Sequence, residues 1–66
     1  MTFCRILKEE TTPSGKTISA YENIEKYETV PTYEIYVSQN AYVIDVIHTA
    51  RITWKKAFTR AYNENK

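Results

Sequence analysis

The sequence predicts an α+β fold, namely a small antiparallel β-meander of three to four strands with one C-terminal amphipathic α-helix packed on one sheet face. Two observations predict it. β-Branched and aromatic residues alternate through two neighbouring segments in the middle of the chain, which is typical of a β-hairpin. Apolar residues recur every three to four positions near the C-terminus, which is typical of a surface helix. A length of 66 residues allows a single small domain over 1–66.

The first half of the chain predicts two strands around a turn. We expect strands over about 2–9 and 16–28, on either side of residues 12–15, because Pro and Gly in Thr-Pro-Ser-Gly favour a turn. In the second segment the apolar residues recur every third position, which makes no continuous stripe on a helix. A helix that uses Ser19 and Glu22 as a capping box stays open as the alternative.

The central hairpin is expected to have strands over about 33–38 and 41–48. Gln39-Asn40 is the expected turn, since Asn tolerates positive φ. Pairing Ser38 with Ala41 then places Ile35 opposite Ile44 and Glu34 opposite Asp45. The predicted core face of the hairpin carries three opposed pairs, Tyr33 with Val46, Ile35 with Ile44, and Val37 with Tyr42.

The C-terminal segment predicts a helix over about 54–64, with Thr53 as the N-cap residue. Its apolar positions follow the i, i+3, i+4, i+7, i+8 spacing of one stripe. The stripe consists of Trp54, Ala57, Phe58, Ala61 and Tyr62. We expect it to dock on the core face of the hairpin, with Trp54 and Phe58 as the main anchors.

The composition argues against several classes of protein, namely membrane-spanning, secreted and zinc-binding proteins and enzymes. The sequence contains no apolar run long enough for a membrane span and no secretory signal pattern, so a cytoplasmic protein is expected. Cys4 is the single cysteine and His48 the single histidine, too few soft ligands for zinc, so we expect Cys4 buried and His48 at the core edge. Without a glycine-rich loop or a catalytic motif, the prediction is no enzyme, no metal and no cofactor. The excess of residues with AT-rich codons is typical of an AT-rich bacterium or of its phages and mobile elements, and we expect a phage- or mobile-element-encoded protein.

The main functional hypothesis is a small non-enzymatic protein-binding module. In the expected register the carboxylates of Glu34 and Asp45 repel each other on the face away from the helix, and a basic partner would relieve this repulsion. The predicted partner-binding patch consists of Glu34, Tyr36, Val43, Asp45 and Ile47. Such an accessory or inhibitor protein would occlude a partner's functional surface, and a nucleic-acid-binding protein is one candidate partner.

The alternative hypothesis is a small nucleic-acid-binding regulatory protein. Residues 1–48 hold four basic and seven acidic side chains, whereas residues 49–66 hold five basic and one acidic, so positive charge is concentrated at the C-terminus. The candidate phosphate-binding residues are Arg51, Lys55, Lys56 and Arg60. The isoelectric point of about 7.8 is low for a dedicated nucleic-acid binder. A homo-oligomer joined through sheet edges or the second sheet face is compatible with either function.

Overall fold

A computed structural model describes residues 3–24 and 30–66. The described residues form β1 (Phe3–Thr11), β2 (Thr17–Ile24), β3 (Thr32–Gln39), β4 (Tyr42–Thr49) and α1 (Trp54–Glu64). The strands pair antiparallel in the order β1-β2-β3-β4, and α1 packs on one face of the sheet. The predicted α+β meander with a C-terminal helix is therefore confirmed. Strand rather than helix is found from Thr17 to Ile24, and the last part of the predicted second strand, residues 25–28, lies outside the described residues.

The turn between β1 and β2 forms where Pro and Gly predict it. The Thr12 N–H donates to the Lys16 carbonyl at 2.7 Å, and the Gly15 N–H donates to the Thr12 carbonyl at 2.9 Å. Gly15 has φ of 90°, in a region that residues with a Cβ rarely adopt. Ser14 and Lys16 also reach Asn65 just beyond the helix, with Ser14 Oγ donating to its carbonyl and Lys16 Nζ to its Oδ1. The turn thus fixes the end of α1 against the sheet.

The turn of the central hairpin differs from the expected one by one residue. Asn40 and Ala41 occupy it, with φ values of 53° and 69°. Two consecutive positive φ values are those of a type I′ turn, the two-residue connection that matches strand twist. Asn is well suited to such a position, whereas a turn at Gln39-Asn40 would require positive φ from Gln39. The predicted pairing of Ser38 with Ala41 is therefore wrong, and Gln39 pairs with Tyr42.

A β-bulge at Ile44 shifts the hairpin register further. Ser38 pairs with Val43 but Val37 pairs with Asp45, so Ile44 is the extra residue. The expected pairs of Ile35 with Ile44 and of Glu34 with Asp45 are consequently wrong. Ile35 lies opposite Ile47 and Glu34 opposite His48.

The core lies between the helix and the two central strands. Phe58 and Ala61 are buried, and the predicted helical stripe is confirmed. The fully covered core consists of Ile18, Ala20, Ile35, Val37, Phe58 and Ala61, with Leu7, Ile47, Trp54, Ala57 and Tyr62 packed around it. Lys8 Nζ lies 4.9 Å from the centre of the Phe58 ring, so an ammonium group on β1 covers the outer edge of this core.

Both ends of α1 are held by local hydrogen bonds. Thr53 is the residue before the helix, as predicted, but its hydroxyl pairs with Thr49 and with the backbone of Ala50 rather than capping a helix N–H among the described residues. At the other end, Asn65 Nδ2 donates to the Ala61 carbonyl at 2.7 Å. Within the described ranges, no helix has the length and apolar character that a membrane crossing requires.

The two edge strands each contain a bulge. In β1 the register with β2 shifts between Ile6 and Lys8, which makes Leu7 the extra residue. In β4 the extra residue is Ile44. Bulges at sheet edges disturb the regular spacing of free N–H and C=O groups that a further strand would need. This geometry disfavours association of two molecules through their sheet edges.

Candidate functional site

The register assigns each strand residue to one of the two sheet faces, because directly opposed residues point to the same side. We call the face away from α1 the open face. Three rows of opposed residues cross it from β1 to β4: Ile6, Tyr21, Glu34 and His48; Glu9, Ser19, Tyr36 and Val46; Thr11, Thr17, Ser38 and Val43.

The open face carries an exposed apolar and aromatic surface. Ile6, Val43 and Val46 retain 49%, 56% and 39% of their accessible surface. Between them the rings of Tyr21 and Tyr36 meet edge to face, with centroids 5.3 Å apart and an interplanar angle of 81°. A shallow depression of about 300 Å³ lies at this tyrosine pair. The large apolar groups of the open face are thus gathered around two rigid aromatic rings.

Glu34 organises the polar side of the open face. Its carboxylate accepts hydrogen bonds from Asn23 Nδ2 at 2.6 Å, Thr32 Oγ1 at 3.1 Å and the Tyr36 hydroxyl at 2.8 Å. The hydrogen bond to Glu34, followed by burial, raises the pKa of Tyr36 above its ordinary value of 10.0. The network holds Tyr36 in position. The carboxylate repulsion that motivated the predicted patch is not a feature of this surface, because Glu34 lies opposite His48 and Asp45 lies opposite Val37 on the other face.

The predicted partner-binding patch is divided between the two faces. Glu34, Tyr36 and Val43 lie together on the open face, as expected. Asp45 and Ile47 lie on the helix side because the bulge at Ile44 reverses their orientation. Ile47 packs against the core, and Asp45 Oδ1 accepts a hydrogen bond from the Val46 N–H at 2.9 Å.

Several open-face residues were assigned wrongly or were left without a face by the sequence reasoning. Val46 was expected in the core, and Cys4 and His48 were expected to be buried or at the core edge, but all three are exposed. Tyr42 does lie on the expected helix side, opposite Gln39, but at the hairpin end it is 75% exposed and not part of the core. Tyr21 had no assigned face, although alternation with buried Ala20 would have indicated the open one.

The four basic residues of the alternative hypothesis do not form one surface. Lys56 and Arg60 line a groove beside β4 that also contains Asp45 and Glu64, and Arg60 Nε pairs with Glu64 at 3.0 Å. Arg51 and Lys55 line a different and larger cleft.

This larger cleft, which we call the end cleft, lies where β3 begins, β4 ends and α1 starts. It has a volume of about 990 Å³. Glu22 Oε1 pairs with Arg5 at 3.2 Å in it, while Glu22 Oε2 accepts a hydrogen bond from the Tyr33 hydroxyl at 2.5 Å. That hydrogen bond, with burial, raises the pKa of Tyr33, and the charges of Arg51 and Arg5 oppose the rise.

Metal-binding geometry is not found among the residues that the structure describes, where no three His, Cys, Asp or Glu side chains lie close enough to hold an ion. Comparison with known protein families, with characterised proteins and with solved structures gave no match to this chain. Functional inference therefore rests on the open face and the end cleft.

Proposed function

We propose that this protein is a non-enzymatic protein-binding module that engages its partner through the open face. The observation that carries the proposal is the surface around the Tyr21–Tyr36 pair, where Ile6, Val43 and Val46 are exposed although α1 covers the opposite face. Tyrosine and apolar residues at the centre of a patch with polar groups at its rim are typical of protein interfaces.

The charges of the open face indicate the chemistry of the partner. The rows of this face contain the carboxylates of Glu9 and Glu34, with His48 as the basic side chain opposite Glu34. Glu9 already accepts from Ser19, and Glu34 accepts from three donors, so a partner would meet an acidic rim that is held in place. A surface with apolar residues bordered by Lys or Arg complements it. Nucleic-acid-binding proteins offer such surfaces, so we propose an inhibitor or accessory role by occlusion.

The proposal extends to the setting of the protein. Cys4 is free and exposed on the sheet, and an exposed thiol is suited to a reducing compartment such as the cytoplasm. The phage or mobile-element origin remains a proposal from composition.

Site-specific photo-crosslinking tests the proposal. A photoreactive phenylalanine analogue replaces Tyr36 in one variant and exposed Thr59, on the outer side of α1, in the control. We expect a partner from a lysate of the source organism to crosslink at position 36 and not at position 59. Val43→Asp should abolish capture, whereas Thr59→Asp should leave it unchanged. Equal crosslinking at both positions, or capture that survives Val43→Asp, would contradict the proposal.

A second measurement distinguishes binding of a different protein from self-association of this chain. Since both edge strands contain bulges, we expect a monomer in sedimentation equilibrium. A dimer that Val43→Asp dissociates would assign the open face to self-association instead.

Nucleic-acid binding by the basic helix is the second candidate. The observation in its favour is that Arg51 and Lys55 line the end cleft together with Arg5. Lys56 and Arg60 share their groove with two carboxylates, which weakens their contribution to a phosphate-binding surface.

A further inference from the structure

The end cleft brings together three cationic side chains from separate parts of the chain. Arg5 comes from β1, Arg51 from the β4–α1 connection and Lys55 from the first turn of α1. In the described part of the chain, Glu22 is the acidic residue that lines the cleft, and both of its oxygens are engaged by Arg5 and Tyr33. Among the described lining residues, three positive charges and one negative charge leave a net charge of +2 with His48 neutral, close to the opposite of the charge of about −1.5 to −2 on a phosphate monoester near pH 7.

The same cleft offers an aromatic surface beside the charges. Trp54 is half-buried and lines the cleft, and Lys55 Nζ lies 5.8 Å from the centre of its ring. Pro31 and Tyr33 line the same space. An aromatic ring next to cationic groups is the combination that binds a base by stacking and its phosphate by charge-assisted hydrogen bonds. A volume of about 990 Å³ is ample for one nucleotide.

We infer that the end cleft binds a nucleotide, with the base against Trp54 and the phosphate held by Arg51, Lys55 and the free edge of Arg5. The inference is separate from the protein-binding proposal, because Arg5, Glu22 and Tyr33 belong to the row on the helix side of the sheet, with His48 as the open-face residue at the rim of the cleft. It rests on the same cationic residues as the second candidate, nucleic-acid binding, and makes that candidate specific. The nucleotide can be a free monophosphate or the phosphorylated end of a single strand, since both present the same base and phosphate.

Trp54 is the single tryptophan of the chain, so its fluorescence reports directly on the cleft. The probes are the four common nucleoside 5′-monophosphates, adenosine, inorganic phosphate, and a short oligonucleotide with and without a 5′-phosphate. Calorimetry accompanies each titration, so that binding without a fluorescence change is also detected. We expect saturable binding of at least one monophosphate, about tenfold or more tighter than either adenosine or phosphate alone.

Substitutions test whether the nucleotide binds in the end cleft. Arg51→Ala and Lys55→Ala should each weaken it by about tenfold or more, because each removes a charge-assisted hydrogen bond. Lys56→Ala is the matched control, since it removes the same charge one residue further along α1 but from the other groove; it should change affinity by no more than about twofold. Val43→Asp on the open face should also leave binding unchanged, so failure here is distinct from failure of the protein-binding proposal.

The outcomes divide cleanly. Tighter binding of the 5′-phosphorylated oligonucleotide than of any monophosphate assigns the cleft to strand ends, and the reverse assigns it to free nucleotides. Absence of heat and of fluorescence change at millimolar probe overturns the inference. Equal losses in Lys55→Ala and Lys56→Ala overturn it as well, as does phosphate binding that the base does not strengthen. Circular dichroism spectra that match the unmodified protein confirm that each variant is folded.

Discussion

Two isoleucines of β4 test the register on which the open face depends. Ile47 lies opposite Ile35 and packs against the core, whereas Ile44 is the bulge residue and is 52% exposed. We therefore expect Ile47→Ala to destabilise the protein clearly more than Ile44→Ala. The two substitutions remove the same three carbons from the same strand, so differences in intrinsic strand propensity largely cancel.

The expected magnitudes follow from burial. Three methylene equivalents at about 0.8 kcal/mol each, scaled by the roughly half of Ile44 that is covered, give about 1 kcal/mol for Ile44→Ala. Ile47 is less exposed and its removal also leaves a space against the core, so Ile47→Ala should cost about 2–3 kcal/mol. A 66-residue domain has a total stability of about 3–10 kcal/mol, so much of the Ile47→Ala protein should remain folded.

Urea unfolding followed by Trp54 fluorescence and thermal unfolding followed by circular dichroism measure both variants. A difference of about 1 kcal/mol or more corresponds to a separation of about 4–8 °C in Tm for a domain of this size. Equal losses, or a larger loss for Ile44→Ala, would refute the bulged register. Without the bulge, Ile44 would lie opposite Val37 on the helix side, and Asp45 and Ile47 would return to the open face.

Three further outcomes are expected. Stability should fall above about pH 10, because the raised pKa values of Tyr33 and Tyr36 mean that the unfolded chain loses these protons first; Tyr33→Phe should flatten this fall in pH-dependent thermal unfolding. Ala41→Gly should stabilise the hairpin by about 0.5–1 kcal/mol in urea unfolding, because Ala41 has φ of 69°; a loss of stability would argue against the type I′ turn. Phe58→Ala should cost about 3–5 kcal/mol, the largest loss among these variants, measured as a lower urea midpoint by circular dichroism, since Phe58 is buried in the core.

The fold was predictable because, over most of the chain, the spacing of apolar residues and the positions of turn-forming residues indicate the same elements. The helical spacing from Trp54 to Tyr62 and the Pro and Gly of the first turn each point to one structure, and both are confirmed. The register of the second hairpin was not predictable in the same way. Several β-branched residues follow one another from Val43 to Ile47, so alternation alone does not decide which of them face the core.

The error in register explains the error in the candidate patch. One extra residue at Ile44 reverses the faces of the residues after it, which moves Asp45 and Ile47 to the helix side and His48 to the open face. Residues on β3 were assigned correctly, because the alternation of Tyr33, Ile35 and Val37 with polar neighbours has no such ambiguity. The end cleft was beyond sequence reasoning, since Arg5 and Arg51 are far apart in the chain and line one cleft only once the sheet and helix have formed.

The open face and the end cleft take their side chains from opposite faces of the same strand, because successive residues of a strand point to opposite sides. Tyr21 and Glu22 are neighbours on β2, yet Tyr21 belongs to the open face and Glu22 to the end cleft on the other side. The two surfaces meet at His48, which belongs to the open face and also lines the cleft, whereas Val43 and Lys55 each belong to one surface alone. Bulges at Leu7 and Ile44 disfavour the edges as a third route of association. A partner protein would therefore contact side chains of the open face. Val43→Asp should abolish partner capture without weakening nucleotide binding. Lys55→Ala should weaken nucleotide binding without affecting partner capture.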